Sequence, residues 1–234
     1  MIRRDYILRM IEEFCQALAR MRSLKQGQRW DEAEKELESE FQKLIGEGAE
    51  AVSRLSETEL LASLMKEGPT HLLRDKTFII SSLLKEAGDI AAGKEQIEES
   101  QRRYLKALHL VLDVLGRDDA SECPEFVPKV ELLRELLQDT ELPVRTLGML
   151  MQYYERNGEF GKAEDMLFAM LEAEFGHSNI VDFGVAFYKR LLAQSDKALA
   201  DGNLPRSEVE YGLKEFETWQ AERRSGTTRA QSAS

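Results

Sequence analysis

The sequence has little proline, little histidine and few cysteines. It contains 5 Pro, 3 His and 2 Cys in 234 residues, whereas Leu, Ala, Glu, Lys and Arg are abundant. A shortage of proline with many strong helix formers favours long helices. Cys15 and Cys123 lie too far apart for a metal or redox motif, and nothing argues for a disulfide between them. We expect Cys15 in the core of the first helix and Cys123 in a loop.

Long apolar runs and strand-like alternation are also missing. No stretch approaches the roughly 18 apolar residues that cross a bilayer. The opening MIRRDYILRMIEEF is interrupted by Arg9, Glu12 and Glu13, so it does not form the apolar centre of a signal peptide. We therefore expect an all-α cytoplasmic protein with no membrane partner.

The formal net charge is −11, which disfavours nucleic acid as a partner because an acidic surface repels phosphates. The charge is uneven along the chain. The first thirty residues are rich in arginine, and the next helix carries Asp31, Glu32, Glu34, Glu36, Glu38 and Glu40. We predict that these two helices present complementary charged flanks to each other.

Helical periodicity and end signals predict about nine to ten helices. Gly46 ends the second, Ser56 and Glu59 form a capping box, and Pro128 and Pro143 suit first helical turns. The predicted helices span residues 2–24, 30–45, 57–66, 72–92, 95–115, 128–137, 143–156, 160–173, 179–200 and 205–219. We assign residues 1–220 to a single domain and residues 221–234, which are small and polar, to a disordered tail.

Residues 150–171, LMQYYERNGEFGKAEDMLFAML, read as one helix–turn–helix unit of a stacked repeat. Ala163 stands where two helices must touch, and Gly158 stands in the turn. In a second such unit, Gly88, Tyr104 and Ala107 stand at the small, aromatic and small positions of the same pattern. Tetratricopeptide repeats pair helices in this way over 34 residues. The two units are not a whole number of such steps apart, so we predict an irregular TPR-like α-solenoid of antiparallel helix hairpins.

Three segments together resemble a known family: RRDYILRMIEEF, AGDIAAGKEQIEESQRRYLKALHL and LPVRTLGMLMQYYERNGEFGKAEDMLFAMLE. The family consists of uncharacterised bacterial TPR-like helical proteins, classed as a domain of unknown function. The resemblance extends from the N-terminus to about Trp219. It implies an all-helical fold, and it brings no activity and no catalytic motif.

Catalytic and metal motifs are missing from the sequence. It contains no phosphate-binding glycine loop, no dinucleotide fingerprint, no nucleophile elbow and no zinc-protease motif. Glu174 and His177 have the spacing used in di-iron bundles, but that site needs two such pairs and two further glutamates. His71 and His109 suit structural roles. We expect no enzyme, cofactor or metal.

A binding module is the preferred interpretation, because stacked helix pairs curve and the first helix of each pair lines the concave side. The partner would be another protein or a peptide. The candidate groove residues are Lys85, Asp89, Arg145, Gln152, Glu155 and Arg156. Three alternatives stay open: these are ordinary solvated residues, the chain is an enzyme with an unrecognised site, or the first helix is a homodimer seam through Tyr6, Met10, Phe14 and Met21.

Overall fold

The computed structural model describes residues 2–66, 73–117, 123–173 and 178–231, with the backbone alone at 2–7, 65–66, 178 and 224–231. These residues form twelve helices and no strand, which confirms the all-α prediction. The helices are α1 (Ile2–Gln26), α2 (Trp30–Ile45), α3 (Ala49–Arg54), α4 (Glu57–Lys66), α5 (Leu73–Gly93), α6 (Ile97–Arg117), α7 (Val130–Leu136), α8 (Val144–Arg156), α9 (Phe160–Ala173), α10 (Ser178–Leu192), α11 (Asp196–Asp201) and α12 (Arg206–Gln231).

The chain divides into two compact units, unit 1 (Met1–Glu141) and unit 2 (Leu142–Ser234). In unit 1 the long helices α5 and α6 pack along each other, and α1 and α2 pack against α5. Gly88 permits the closest approach, because a Cβ there would overlap the ring of Tyr104. Phe41, Phe78 and Ala107 are fully buried in this core.

Unit 2 contains two helix pairs, α8 with α9 and α10 with α12. Helix α9 also contacts α10, and the short helix α11 contacts α12. Gly158 has a φ of 74° in the turn after α8, a left-handed conformation that glycine adopts without strain. Ala163 is fully buried, as its predicted place at a helix crossing requires. Gly184 of α10 lies directly against the Phe216 ring of α12.

Local sequence signals placed several helix ends correctly. Helices α2, α4 and α9 begin and end where they were predicted. Gly46 closes α2 with a φ of 75°. In the Ser56–Glu59 capping box, the Glu59 amide donates to Ser56 Oγ at 3.2 Å and the Ser56 amide donates to Glu59 Oε2 at 2.8 Å. The charged flanks also pair, since Arg20 Nε of α1 donates to Glu36 Oε1 of α2 at 2.7 Å.

The helix count is higher than predicted because two short helices were missed. Helix α3 is only six residues long, too short to show a periodic pattern. The predicted helix over 179–200 is two helices, since Ser195 caps a new one by accepting from the Ala198 amide at 3.1 Å. The last helix continues past Trp219 to Gln231.

The expectation that Cys15 lies in the core is wrong. Its side chain is exposed, whereas Phe14 and Leu18 are buried. Successive helical residues differ by about 100°, and this rotation carries Cys15 from the buried side, where Phe14 lies, to the exposed side. Cys123 is exposed, as expected for a loop residue. His71 and the Glu174–His177 motif lie outside the described residues.

Candidate interaction surface

One side of helix α8 carries a stripe of accessible side chains at helical spacing. Arg145, Gln152 and Arg156 are exposed and Met149 is half-buried between them. Steps of four, three and four residues keep these four side chains on one face of a helix. The buried side of the helix consists of Thr146, Leu147, Leu150, Met151 and Tyr154. We call Arg145, Met149, Gln152 and Arg156 the α8 stripe.

Glu155 lies beside the α8 stripe and joins α8 to α10. Arg190 Nε donates to Glu155 Oε1 at 2.6 Å and Arg190 Nη2 donates to Glu155 Oε2 at 2.8 Å. This bidentate geometry fixes direction as well as distance. The hydrogen bond to Glu155 and the charge of its carboxylate raise the pKa of Arg190. Sequence reasoning missed Arg190, because no local pattern connects residues that lie on two different helices.

The other two predicted groove residues, Lys85 and Asp89, lie in unit 1 and belong to an ion cluster. Lys85 Nζ donates to Asp89 Oδ2 at 2.8 Å within α5. Lys25 of α1 pairs with both Glu86 and Asp89. The Glu86 side chain is only 1% exposed. We define the ion cluster as Lys25, Lys85, Glu86 and Asp89; it fastens α1 to α5.

Tyr104 of α6 adds a hydroxyl to the ion cluster, donating to Asp89 Oδ1 at 2.9 Å. Burial alone would raise the pKa of Asp89, but the ammonium groups of Lys25 and Lys85 outweigh it and lower that pKa. Burial, followed by the negative charge of Asp89, raises the pKa of Tyr104. At neutral pH the carboxylate is therefore ionised and the phenol keeps its proton.

The structure thus gathers the predicted groove residues into two sets. Lys85 and Asp89 meet in the ion cluster of unit 1, whereas Arg145, Gln152 and Arg156 share the α8 stripe of unit 2 with Glu155 at its side. A groove shared by both sets stays a prediction. Sequence reasoning missed Lys25, because its position against α5 depends on how whole helices pack.

The described part of the chain was found to hold no cluster of metal-binding side chains. No group of three or more His, Cys, Asp or Glu side chains that could hold a metal ion occurs there. His109 Nδ1 lies 2.9 Å from Glu57 Oε1, so it links α6 to α4 in the structural role predicted for it. Within the same residues, no helix is both long enough and apolar enough to cross a bilayer.

The fold and these surfaces define an all-helical protein whose long helices pack in pairs. The model of a family of unknown function (DUF6483) matches residues 1–220. The chain therefore belongs to that family. No curated protein matches the chain, and no solved structure does.

Proposed function

We propose that the chain is a non-catalytic protein–protein interaction module that binds a peptide or a helix along the α8 stripe. The observation that carries the proposal is the stripe itself: three exposed polar side chains and one half-buried methionine on a single face. A partner helix presents its own side chains at steps of three and four residues, so one of its faces can align along such a stripe. The opposite, buried face holds α8 in place against its neighbours.

The pairing of helices in unit 2 supports this proposal. The pairs α8–α9 and α10–α12 each bring a small residue against a large one, as Gly184 does with Phe216. The first helices of the two pairs, α8 and α10, are linked by Glu155 and Arg190. In helical repeats the first helices line the concave surface. A partner on the α8 stripe would then also reach α10.

The chemistry of the stripe favours an acidic partner. Arg145 and Arg156 stand eleven residues apart, which is about 16 Å along a helix at 1.5 Å per residue. Guanidinium groups form bidentate hydrogen bonds with carboxylates. Met149 between them offers an adaptable apolar contact. We infer a partner segment with two carboxylates about 16 Å apart and an apolar side chain between them.

Site-specific photo-crosslinking tests this proposal. A photoreactive amino acid replaces Gln152 in the full chain, expressed in its own cells, and the matched position is the exposed Lys214 of α12. We expect a discrete adduct from position 152 and none from position 214. The double variant Arg145→Glu, Arg156→Glu should abolish the adduct, because it reverses both charges that hold the acidic segment.

The matched control is Lys197→Glu, Lys214→Glu, which changes the net charge by the same amount at exposed positions elsewhere in unit 2. It should leave the adduct from position 152 unchanged. Equal adducts from positions 152 and 214, or an adduct that survives the reversal of both arginines, would contradict the proposal.

Self-association through α1 is the second candidate, and one observation favours it. Leu8, a large apolar residue on this helix, is 51% exposed. Phe14 and Met21 of the predicted seam are buried inside unit 1, and the Tyr6 side chain lies outside the described residues. Sedimentation velocity over a wide concentration range decides the matter, since a strict monomer removes this candidate.

A further inference from the structure

The buried positions of α8 recur on α10 in a constant register. Helix α8 begins at Val144, and α10 begins 34 residues later, at Ser178. Each buried residue of α8 has a buried counterpart 34 places further along the chain, on α10. The clearest case is Tyr154 with Tyr188, which are 1% and 0% exposed. The two helices therefore bury equivalent faces inside unit 2.

The accessible side of α8 recurs on α10 in the same register. The residues 34 places after the four members of the α8 stripe are, in order, Asn179, Phe183, Ala186 and Arg190. Phe183 is half-buried, as Met149 is, and the other three are exposed, as their counterparts are. We call Asn179, Phe183, Ala186 and Arg190 the α10 stripe. Its middle is apolar, because Phe183 and Ala186 stand there.

An ion pair joins the two stripes near their C-terminal ends. Arg190 of the α10 stripe donates to both carboxylate oxygens of Glu155, which directly precedes Arg156 of the α8 stripe. Helix α9 contacts both α8 and α10, so the three helices pack together. Because Glu155 offsets the charge of Arg190, the joint surface is cationic at Arg145 and Arg156 and apolar in the middle of both stripes.

We propose that an acidic amphipathic helix docks between the two stripes. Its apolar side chains pack on Met149, Phe183 and Ala186, and its carboxylates bind the two arginines of the α8 stripe. Ala186 is small and exposed, so it leaves room beside Phe183 for a branched apolar side chain. This inference rests on the proposed function, and it adds α10 to the site and a helix as the partner.

The spacing of the two arginines favours a helical partner over an extended one. Arg145 and Arg156 lie about 16 Å apart along α8. An extended segment covers that length in about five residues, and an odd step places the two end side chains on opposite faces. A helix covers it in about eleven residues, or three turns, so both end side chains share one face. Only the helix therefore presents both carboxylates and the apolar residues between them together.

A synthetic helical peptide, held by a hydrocarbon staple on its outer face, tests this inference. The probe carries two glutamates about eleven residues apart and leucines about four and seven residues after the first glutamate. Fluorescence anisotropy measures its binding to the full chain. We expect saturable binding, and binding at least about tenfold weaker for probes with lysine at both glutamate positions or serine at both leucine positions.

The variant Ala186→Glu places a carboxylate in the apolar middle of the α10 stripe and should weaken probe binding by about tenfold or more. The position is exposed and both residues are good helix formers, so the fold should persist, which circular dichroism checks. The matched control is Ala200→Glu, the same change at an exposed position of α11. It should leave the affinity for the probe unchanged.

The outcomes separate this inference from the proposed function. Loss of probe binding in Ala186→Glu alone supports the docked helix. If position 152 yields its adduct and the probe does not bind saturably, the partner is not a helix of this kind and only the inference is wrong. The same holds if the lysine probe binds as tightly as the glutamate probe, or if Ala186→Glu binds the probe like the original chain. Absence of both the adduct and probe binding would overturn the inference and the proposed function together.

Discussion

Units 1 and 2 contain the same local contact in opposite electrostatic settings. In unit 1, Tyr104 donates its hydroxyl to Asp89 at 2.9 Å, and two lysines surround that carboxylate. In unit 2, Tyr188 donates to Glu164 at 2.6 Å. Burial raises the pKa of Glu164 and the neighbouring acids Glu208 and Asp165 raise it further, although the Tyr188 hydrogen bond lowers it.

The difference indicates that a tyrosine–carboxylate hydrogen bond does not by itself decide whether the pKa of its acceptor is raised or lowered. The pKa of Asp89 falls because lysines outweigh burial, whereas that of Glu164 rises because burial is reinforced by like charges. Unit 1 thus fastens α1 to α5 with charges. Unit 2 fastens α10 to α12 with rings, including the Tyr188–Phe216 pair at 5.4 Å between centroids.

Removal of a central ring should have the largest effect. Phe216 is fully buried against Gly184 and contacts Phe168, Tyr188 and Trp219. Phe216→Ala should lower the free energy of unfolding of unit 2 by about 3–5 kcal/mol, because it leaves a cavity. Urea unfolding followed by circular dichroism measures the loss. The control is Phe168→Ala, at a residue that is 36% exposed, and it should lower the free energy of unfolding clearly less. Equal losses for the two variants would contradict the idea that buried rings hold α10 and α12 together.

Loss of the lysine that joins the two helices of the ion cluster should rank second. Lys25→Met removes the close α1 contact of the buried Glu86, although Arg22 of α1 and Lys85 still lie 3.6 Å from Glu86 and Lys85 still pairs with Asp89. We expect the free energy of unfolding to fall by about 2–3 kcal/mol. This is less than the full cost of breaking a buried ion pair, because other cations remain beside the carboxylates. Thermal unfolding measures it, and Lys35→Met on the exposed side of α2 is the control. If Lys25→Met is as stable as this control, the ion cluster does not hold α1 against α5.

A partly exposed ion pair should matter less. The Arg190 side chain is 48% exposed and that of Glu155 is 17% exposed. Arg190→Ala should cost about 0.5–1 kcal/mol, the upper part of the range for such pairs, because the geometry is bidentate. Lys189→Ala, which removes a single 3.1 Å contact to Glu217, is the matched control and should cost less. The reverse order would show that the bidentate link between α8 and α10 contributes little.

The smallest expected effect is a dependence on pH of opposite sign in the two units. Because the folded pKa of Glu164 is raised above 4.5, the folded state binds the proton more tightly, so Glu164 stabilises unit 2 increasingly as pH falls through the window just above 4.5. The folded pKa of Asp89 is lowered below 3.8, so its stabilisation of unit 1 is complete above 3.8 and is lost as pH falls through that folded pKa.

The free energy of unfolding is measured between about pH 3 and pH 7 for the original chain and for the variants Glu164→Gln and Asp89→Asn. The contribution of each carboxyl group is the free energy of the original chain minus that of the corresponding variant. The difference from Glu164→Gln should grow towards acid, and the difference from Asp89→Asn should shrink. If both free-energy differences grow towards acid, or both shrink, the predicted contrast between Glu164 in unit 2 and Asp89 in unit 1 is wrong.

Sequence patterns within a few residues predict most of the helices. They do not predict the ion pairs between helices, because these depend on tertiary contacts. The turn glycines, the capping box and the buried Ala107 and Ala163 follow from patterns within a few residues. Lys25 and Arg190, which decide how helices are joined, pair with residues 64 and 35 positions away. A helical period within one segment does not reveal a partner on another helix. The sequence therefore places Lys85 and Asp89 in a groove and does not reveal their contact with Lys25 of α1. The exposed stripe on α8 was accessible to sequence reasoning because it depends on the period of one helix.

The most direct test of the contrast between the units is a carboxyl-carbon NMR titration that follows Asp89 and Glu164 in the same folded sample. Our account predicts that Asp89 titrates below its ordinary pKa of 3.8 and Glu164 above its ordinary pKa of 4.5. Shifts of the same sign at both carboxyl groups would contradict it.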